Sequence, residues 1–422
     1  MKRARKESVA LPRGESGTSP PNAKERPLTL RVVQTDRAGQ RMSRQRKGEI
    51  VMKLNNLLFA MVITVVAHSV AFASTFENGK IEIYISTQQN LSQKNYVLEK
   101  EIVNFINKSK TSLNIAVQEL RSGKISSSNA IKEAILNASK RGIKIKLIVE
   151  KSYLKPGSDN QRTFDEFHDV DNIEVKADDN PSIFHNKFIV RDYDQPTAAL
   201  LSGSTNFTDT GTRRNYNHII ILHFQNPSKK SYGLLRAYQN EFNELWGGTF
   251  GNKDGGKLES YRIGHTRIKV LFSPDNDPDD YLLNALVNAK ESLDVMMFTF
   301  GSNSPLIAGV INRSKAVKYV NRKPTDIRKV KVRIGMEQDQ CKYWSAYPVL
   351  QELGIPVKVE STSAKLHHKV GIIDNKTVIL GSYNWTLSAN DRNDENVLVI
   401  SNPDIAGLFT DAFNELWEDV LK

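Results

Sequence analysis

The chain repeats itself once, and this internal repeat is the feature that most limits what it can fold into. The segment IEIYIS, beginning at Ile81, resembles IKVLFS, beginning at Ile268; YQNEFNELW, ending at Trp246, resembles FTDAFNELW, ending at Trp417. Matching segments follow one another in the same order, which is typical of a repeat whose loops differ in length. Two similar halves on one chain favour a pseudo-twofold body with equivalent sites meeting at the seam.

Each half alternates strand-like and helix-like segments. Short runs of Val and Ile, such as IKIKLIVE and HIIILH, are typical of buried strands. The stretch 232–246 places Tyr238 and Phe242 on one helical face, where we expect them in the core. The alternation predicts the α/β class, with an α/β/α sandwich in each lobe. The predicted boundaries are 74–248 for the first lobe, 249–262 for a glycine-rich linker and 263–422 for the second lobe.

The N-terminal region reads as two pieces that precede the repeat. Residues 1–51 are rich in Arg, Ser, Pro and Gly and predict a disordered basic leader, which is not translated if Met52 is the true start. Residues 52–73 read as a signal peptide with cleavage after Ala73, which predicts a secreted or periplasmic protein. The alternative is a membrane anchor, but the apolar run Leu57–Val66 is shorter than the roughly 20 residues of a spanning helix.

Net charge is a weak guide to the partner of this chain. The formal charge is +12, but residues 1–73 hold 14 Lys and Arg against 5 Asp and Glu. The remainder therefore carries only +3, which mildly disfavours binding driven by many phosphate contacts.

A pattern of polar residues occurs once in each half, at equivalent places. A histidine and a lysine are separated by one residue, an aspartate follows, and a Gly-Ser pair leads to an asparagine. The residues are His185, Lys187, Asp192, Ser204 and Asn206 in the first half and His367, Lys369, Asp374, Ser382 and Asn384 in the second. Because residues i and i+2 of a strand share a face, each histidine and its lysine are predicted to point to the same side.

These residue types suit chemistry on a phosphodiester. Lysines and asparagines supply donors to phosphate oxygens. A histidine can attack phosphorus or protonate the departing oxygen, so that two histidines can divide these roles. No cluster has the spacing of metal ligands, and the prediction is a site without metal or other cofactor. Asp192 and Asp374 end their strands and are interpreted as local caps, while Ser204 and Ser382 either add a hydrogen bond or serve the turn.

The paired motifs resemble the doubled HKD signature of the phospholipase D superfamily, and the resemblance covers Ile81 to Trp417. It implies a two-lobed fold with one active site at the seam and a covalent phosphohistidine intermediate. It also implies that His185 and His367 are the nucleophile and the general acid. Lys187, Lys369, Asn206 and Asn384 would hold the phosphoryl group. A monomer is predicted, since both motifs lie on one chain.

The two halves differ at one position that bears on the histidines. Glu395 stands eleven residues after Asn384, and Asn217 stands eleven residues after Asn206. In the family, a carboxylate here resembles the aspartate that orients the histidine of a serine protease. An amide can orient an imidazole but cannot stabilise its charged form equally, so the two histidines are predicted to titrate differently.

The resemblance indicates the type of reaction more firmly than the substrate. The favoured function is a secreted phospholipase D that hydrolyses a phospholipid headgroup ester to phosphatidic acid at a membrane surface. The alternatives are a secreted non-specific endonuclease acting on DNA or RNA, a phosphatidyl transferase and a catalytically silent binding protein. The basic stretch 313–333 could contact nucleic acid or lipid headgroups, and Tyr343, Trp344 and Tyr347 could contact a headgroup or a membrane interface.

Overall fold

The computed structural model describes residues 73–121, 130–253, 255, 258–320, 323–326 and 329–422, with only the backbone described for 317–320 and 323–326. The predicted leader, residues 1–51, and residues 52–72 of the predicted signal peptide lie outside this part. Ala73, the last residue before the predicted cleavage point, begins a β-strand. Every helix within the described part is too short or too polar to cross a lipid bilayer.

The first lobe is built on an eight-stranded mixed sheet. Its strands are β1 (Ala73–Phe76), β2 (Ile81–Ile85), β3 (Ser112–Val117), β4 (Lys144–Val149), β5 (Ile173–Ala177), β6 (Lys187–Arg191), β7 (Ala199–Gly203) and β8 (His218–His223). The spatial order is β1-β2-β8-β7-β6-β3-β4-β5, with β3, β4 and β5 parallel and the other neighbours antiparallel. The central strands β6 and β7 are buried along their whole length, which explains their nearly continuous apolar sequence.

The second lobe repeats this sheet. Its strands are β9 (Ser260–Ile263), β10 (Thr266–Ser273), β11 (Ser292–Met297), β12 (Val317–Val320), β13 (Lys323–Asp326), β14 (Lys331–Met336), β15 (Val357–Val359), β16 (Lys369–Ile373), β17 (Thr377–Gly381) and β18 (Glu395–Ser401). Read from β9, the order is β9-β10-β18-β17-β16-β11-β14-β15, which matches the first sheet strand for strand. The pair β12 and β13 forms a separate hairpin inside the basic stretch 313–333.

Helices cover the sheets at equivalent places in the two lobes. They are α1 (Gln88–Ser92), α2 (Val97–Asn107), α3 (Ala130–Lys140), α4 (Asp159–His168), α5 (Asp209–Arg213) and α6 (Tyr232–Trp246), then α7 (Pro278–Val287), α8 (Leu306–Lys315), α9 (Ala346–Glu352), α10 (Leu387–Asp391) and α11 (Pro403–Glu415). Two 3-10 turns, Lys151–Tyr153 and Gln338–Gln340, follow β4 and β14, and a π turn, Leu416–Val420, extends α11.

The two lobes share one apolar core, which α6 and α11 help to fill from both sides. Tyr238 of α6 packs edge-on against Phe188 of its own lobe and Phe272 of the other, with ring centroids 5.0 and 5.1 Å apart. Phe409 of α11 is likewise fully buried. Tyr238 and Phe242 are both buried, so the prediction that they belong to the core is confirmed, and the shared core joins the lobes into one compact body.

Paired backbone bridges join the lobes at the seam. Phe184 pairs with Asp394, and Tyr216 pairs with Leu366. The amide of His185 donates to the carbonyl of Asp394 at 2.9 Å, and the amide of His367 donates to the carbonyl of Tyr216 at 3.0 Å. The segments that lead into β6 and β16, the strands that begin with the motif lysines, are therefore hydrogen-bonded to the opposite lobe.

The glycine of each Gly-Ser pair is required for steric reasons. A Cβ atom on Gly203 would lie 2.2 Å from the carbonyl oxygen of His218, and one on Gly381 would lie 2.2 Å from that of Asn396. Strands β7 and β17 therefore require glycine where they end beside their neighbours. The hydroxyls of Thr208 and Thr386 then cap the short helices α5 and α10.

Candidate active site

His185 is oriented by a carboxylate of the opposite lobe. Its Nδ1 lies 2.6 Å from Oε2 of Glu395, and both side chains are buried. Burial raises the pKa of Glu395 to about 7. Burial, followed by the charges of Lys187 and Lys369, lowers the pKa of His185 well below its ordinary value. The imidazole of His185 is therefore uncharged near neutral pH, where Glu395 titrates, and a bound anion would favour protonation of the imidazole.

His367 has the reciprocal arrangement with an amide in place of the carboxylate. Its Nδ1 donates to Oδ1 of Asn217 at 2.9 Å, because an amide oxygen can only accept. The predicted orienting residues are thus both in place, but each serves the histidine of the other lobe. Burial, followed by the charges of Lys369, Lys187 and His185, lowers the pKa of His367 well below its ordinary value.

The two serines of the Gly-Ser pairs support the orienting groups. The hydroxyl of Ser382 donates to Oε2 of Glu395 at 2.6 Å, and that of Ser204 donates to Oδ1 of Asn217 at 2.8 Å. Asn393 donates a further bond to Oε1 of Glu395 at 3.3 Å. The serines therefore act on the carboxylate and the amide, rather than only on the turn.

The two lysines are buried and fixed by the backbone of their own motif. Nζ of Lys187 donates to the carbonyl of His185 at 2.6 Å, and Nζ of Lys369 donates to that of His367 at 2.8 Å. Burial lowers the pKa of Lys187 to about 7. Burial, followed by the charge of Lys187, lowers that of Lys369 well below its ordinary value. Two ammonium groups close enough to oppose each other's charge make a site suited to an anion.

Gln118 and Phe298 contact the donors but were not identified from the sequence. Oε1 of Gln118 accepts bonds from Nζ of Lys187 at 3.2 Å and from Nδ2 of Asn206 at 3.3 Å. The equivalent Phe298 lies under Lys369, with Nζ 4.9 Å from the ring centroid. They stand at the same point of the repeat, six residues after Ser112 and Ser292, which begin β3 and β11. Aligning the halves beyond the motifs could have located both.

Two buried glutamates hold the backbone that precedes the motifs. Oε2 of Glu150 accepts from the amide of Phe184 at 2.6 Å, and Oε2 of Glu337 accepts from the amide of Leu366 at 2.7 Å. Both glutamates follow a strand at equivalent places, and their separation from the motifs in sequence concealed their role.

The carboxylates of Asp192 and Asp374 accept hydrogen bonds from backbone amides outside the motifs. Asp192 accepts bonds from the amides of Lys110, Thr111 and Ser112. Asp374 accepts from the equivalent run at 290–292. Burial raises the pKa of Asp192, but the amide donors outweigh it and the pKa lies below its ordinary value. These contacts agree with the capping interpretation.

His368 points away from His367, because neighbouring side chains of an extended segment face opposite ways. Its Nδ1 lies 3.0 Å from Nδ1 of His218, and the two rings stack with centroids 5.3 Å apart. Burial lowers the pKa of His368 to about 3, so the ring is neutral. This histidine pair forms part of the packing beneath the site.

A cleft of about 760 Å³ opens from the motif residues along the second lobe. It is lined by His185, Asn384 and Gln118, by the charged Asp391 and Arg392, and by apolar, hydroxyl and amide side chains. The ring of Phe298, in its wall, lies 4.7 Å from that of His367. His185 and Asn384, one from each motif, thus face the same accessible space.

Residues 102–246 and 282–417 match the family model described as cardiolipin synthase, PLD-like domain. The chain belongs to this family. One match of the PLD-like domain lies in each lobe, as the repeat predicts, and the membership places the chain in the phospholipase D superfamily of phosphodiesterases.

Curated relatives of this PLD-like chain include enzymes named for phospholipids. A mitochondrial cardiolipin hydrolase of Mus musculus is 33% identical over 142 residues, which are 33% of this chain and 57% of the relative. A phospholipase D of Rickettsia conorii is 30% identical over 145 residues, which are 34% of this chain and 66% of the relative. The chain spans only about half the length of the cardiolipin hydrolases that it matches.

A solved structure supports the two-lobed arrangement. The phosphatidylserine synthase of Haemophilus influenzae Rd KW20 superposes with a TM-score of 0.57 at 10% identity, over 83% of this chain and 88% of that one. At this identity the likeness concerns the fold alone. The predicted two-lobed α/β fold is confirmed.

Proposed function

We propose that this chain is an exported, monomeric phospholipase D that hydrolyses the headgroup ester of a phospholipid to phosphatidic acid. The observation that carries the proposal is the reciprocal orientation of His185 and His367 beside one cleft, each held by a group from the opposite lobe. The names of the curated relatives support phospholipid as the substrate class.

In the first proposed step, Nε2 of His185 attacks phosphorus and forms a phosphorus–nitrogen bond. The bond to the headgroup oxygen breaks, and protonated His367 gives this oxygen its proton. A phosphatidyl-histidine and a free headgroup alcohol result. Glu395 favours His185 as the nucleophile, because attack leaves the imidazole positively charged and the carboxylate at Nδ1 stabilises that charge.

In the second proposed step, water cleaves the phosphorus–nitrogen bond. His367, now neutral, takes a proton from the water while its oxygen attacks phosphorus. The electron pair of the breaking bond returns to Nε2 of His185, and phosphatidic acid leaves. Since Asn217 stabilises an imidazolium less than a carboxylate does, His367 loses its proton more readily in the first step.

Side chains of the two motifs supply the charge stabilisation that both steps need. Lys187 and Lys369 place ammonium groups at the site, and Asn206 and Asn384 add amide donors. We propose that the reaction requires no metal, since these donors fill the role that a cation would have on the phosphoryl oxygens.

The walls of the cleft favour a lipid over a nucleic acid strand. Its described lining contains four large apolar side chains, Ile183, Phe298, Trp344 and Leu387. The charged lining residues other than histidine are Asp391 and Arg392, one of each sign. A groove for a polyanionic strand would be expected to carry several cations along its length.

The proposal predicts headgroup release without damage to DNA. The purified protein is incubated in EDTA with vesicles of phosphatidylcholine, phosphatidylglycerol or cardiolipin, and separately with plasmid. Formation of phosphatidic acid, with intact plasmid, is the expected result. Nicked plasmid with unchanged lipid would instead support the endonuclease, and inhibition by EDTA would contradict the metal-free mechanism.

When the protein is produced in a host that exports it, N-terminal sequencing is expected to find Ser74 as the first residue. Retention of residues 52–73 would contradict cleavage of the predicted signal peptide.

Activity is predicted to have a narrow optimum near neutral pH. Above about 7, Lys187 loses its proton in the free enzyme and the attraction for the phosphate weakens. Below about 7, Glu395 gains a proton and no longer stabilises the charged form of His185. A plot of kcat/KM against pH should therefore fall on both sides by about tenfold per unit. A flat profile from pH 6 to 9 would contradict the protonation states assigned here.

A further inference from the structure

Exposed large apolar side chains are few in the described part of the chain, and they concentrate at the cleft. Five are exposed there, namely Tyr153, Ile183, Leu258, Tyr343 and Trp344. Ile183 and Trp344 line the cleft, and Tyr343 is next to Trp344 in the chain. We call Ile183, Tyr343 and Trp344 the rim patch. It draws on both lobes, and its side chains are 41%, 91% and 40% exposed, respectively.

The backbone beneath the rim patch is firmly held. The carbonyl of Trp344 accepts bonds from the amide and the hydroxyl of Ser302, at 3.0 and 2.9 Å. The carbonyl of Ile183 accepts from the amide of Asp394 at 3.1 Å. These side chains are therefore presented to solvent by fixed main chain, which reduces the entropy lost when they bind a partner.

Cations accompany the rim patch. Lys342 precedes Tyr343, Arg392 lines the cleft, and both residues are exposed. Within the described residues, neither forms an ion pair, while the acids Asp339 and Asp391 are paired with Lys365 and Lys253. These two cations are thus available to an anionic partner.

We propose that the rim patch and its two cations dock the cleft mouth onto the surface of an anionic phospholipid bilayer. This rests on the proposed function, whose substrate lies in such a surface. Tyr and Trp are suited to the level of the headgroups, where one edge is apolar and the other hydrated. Ile183 reaches the acyl boundary, and Lys342 and Arg392 contact lipid phosphates. Docking in this orientation brings the headgroup ester to the cleft without extracting the lipid.

The test measures binding without turnover. The full-length mature protein is sedimented at 4 °C with vesicles of phosphatidylcholine alone or with phosphatidylglycerol added. The variant Tyr343→Ser/Trp344→Ser should bind the anionic vesicles about tenfold or more weakly than the parent, because two aromatic side chains lose their interfacial contacts. Leu258→Ser is the matched control, since it removes an exposed apolar side chain outside the cleft lining and should not change binding. Equal circular dichroism spectra establish that the variants are folded.

Fluorescence quenching by brominated lipid locates the contact. Trp385 is buried, and Trp246 and Trp417 stack on Phe242 and Phe413, so quenching by the vesicles should report Trp344 and disappear in Trp344→Ser. Unchanged vesicle binding by the double variant, or no binding by the parent, would overturn the proposal. The proposal would also be overturned if the parent bound a single-stranded oligonucleotide but not vesicles, and if the double variant lost that oligonucleotide binding. Headgroup release from detergent-dispersed lipid tests the proposed function separately, because it requires no bilayer.

Discussion

Replacement of His185 by asparagine is expected to lower kcat by about 10⁴-fold or more, because the first covalent step loses its nucleophile. The measurement is headgroup release from phospholipid under saturating substrate. His367→Asn is expected to cause a comparable loss on the same substrate, since the departing oxygen would leave without a proton. His168→Asn removes an exposed histidine of α4 and is the matched control, with unchanged kcat expected.

The two variants should differ when the leaving group needs no proton. With a p-nitrophenyl phosphodiester, His367→Asn should release nitrophenol in a burst and accumulate phosphohistidine, because the base for the second step is missing. His185→Asn should give neither the burst nor the labelled histidine. Labelling of His367 in the His185 variant would reverse the assignment of nucleophile and acid.

Replacement of Glu395 by glutamine is expected to reduce kcat/KM by about 10³-fold, far more than replacement of Asn217 by alanine. The carboxylate lies 2.6 Å from Nδ1 of His185 and stabilises the positive imidazole that attack creates. Asn217 supplies only a neutral acceptor at 2.9 Å from His367, so its loss should reduce kcat/KM by about tenfold. Both values come from initial rates at low substrate concentration.

Ser382→Ala provides a graded control for the Glu395 variant. Its hydroxyl donates to Glu395, so its removal should leave the carboxylate in place and cause a much smaller loss than Glu395→Gln. Equal losses from Glu395→Gln and Asn217→Ala would show that the two histidines do not differ in the need for a charged partner.

The sequence was sufficient to predict the fold class and to indicate which polar side chains meet, because both leave local patterns in each half. The Val and Ile runs became the strands of two matching sheets, and the motif histidines and lysines came together at the seam. The opposite directions of His367 and His368 are likewise a local property, since neighbouring side chains of an extended segment face opposite ways.

The particular side-chain pairs that form across the seam and around the motifs were beyond the sequence. Glu395 was recognised as an orienting residue, but its partner is His185, 210 residues away, and only the meeting of the lobes brings them together. Gln118 and Glu150 escaped notice for the same reason, because neither belongs to a motif and each acts on a residue in another strand or loop. One sequence without its relatives carries no record of such pairs.

The exchange of orienting groups between lobes has a consequence for how the protein could have changed over time. In an assembly of two identical copies, any substitution appears twice and alters both histidines together. On a single polypeptide, the position of Glu395 and the position of Asn217 can vary independently. Covalent joining of the halves therefore permits one imidazole to specialise in bond formation and the other in proton transfer, a division of labour that identical copies could not encode.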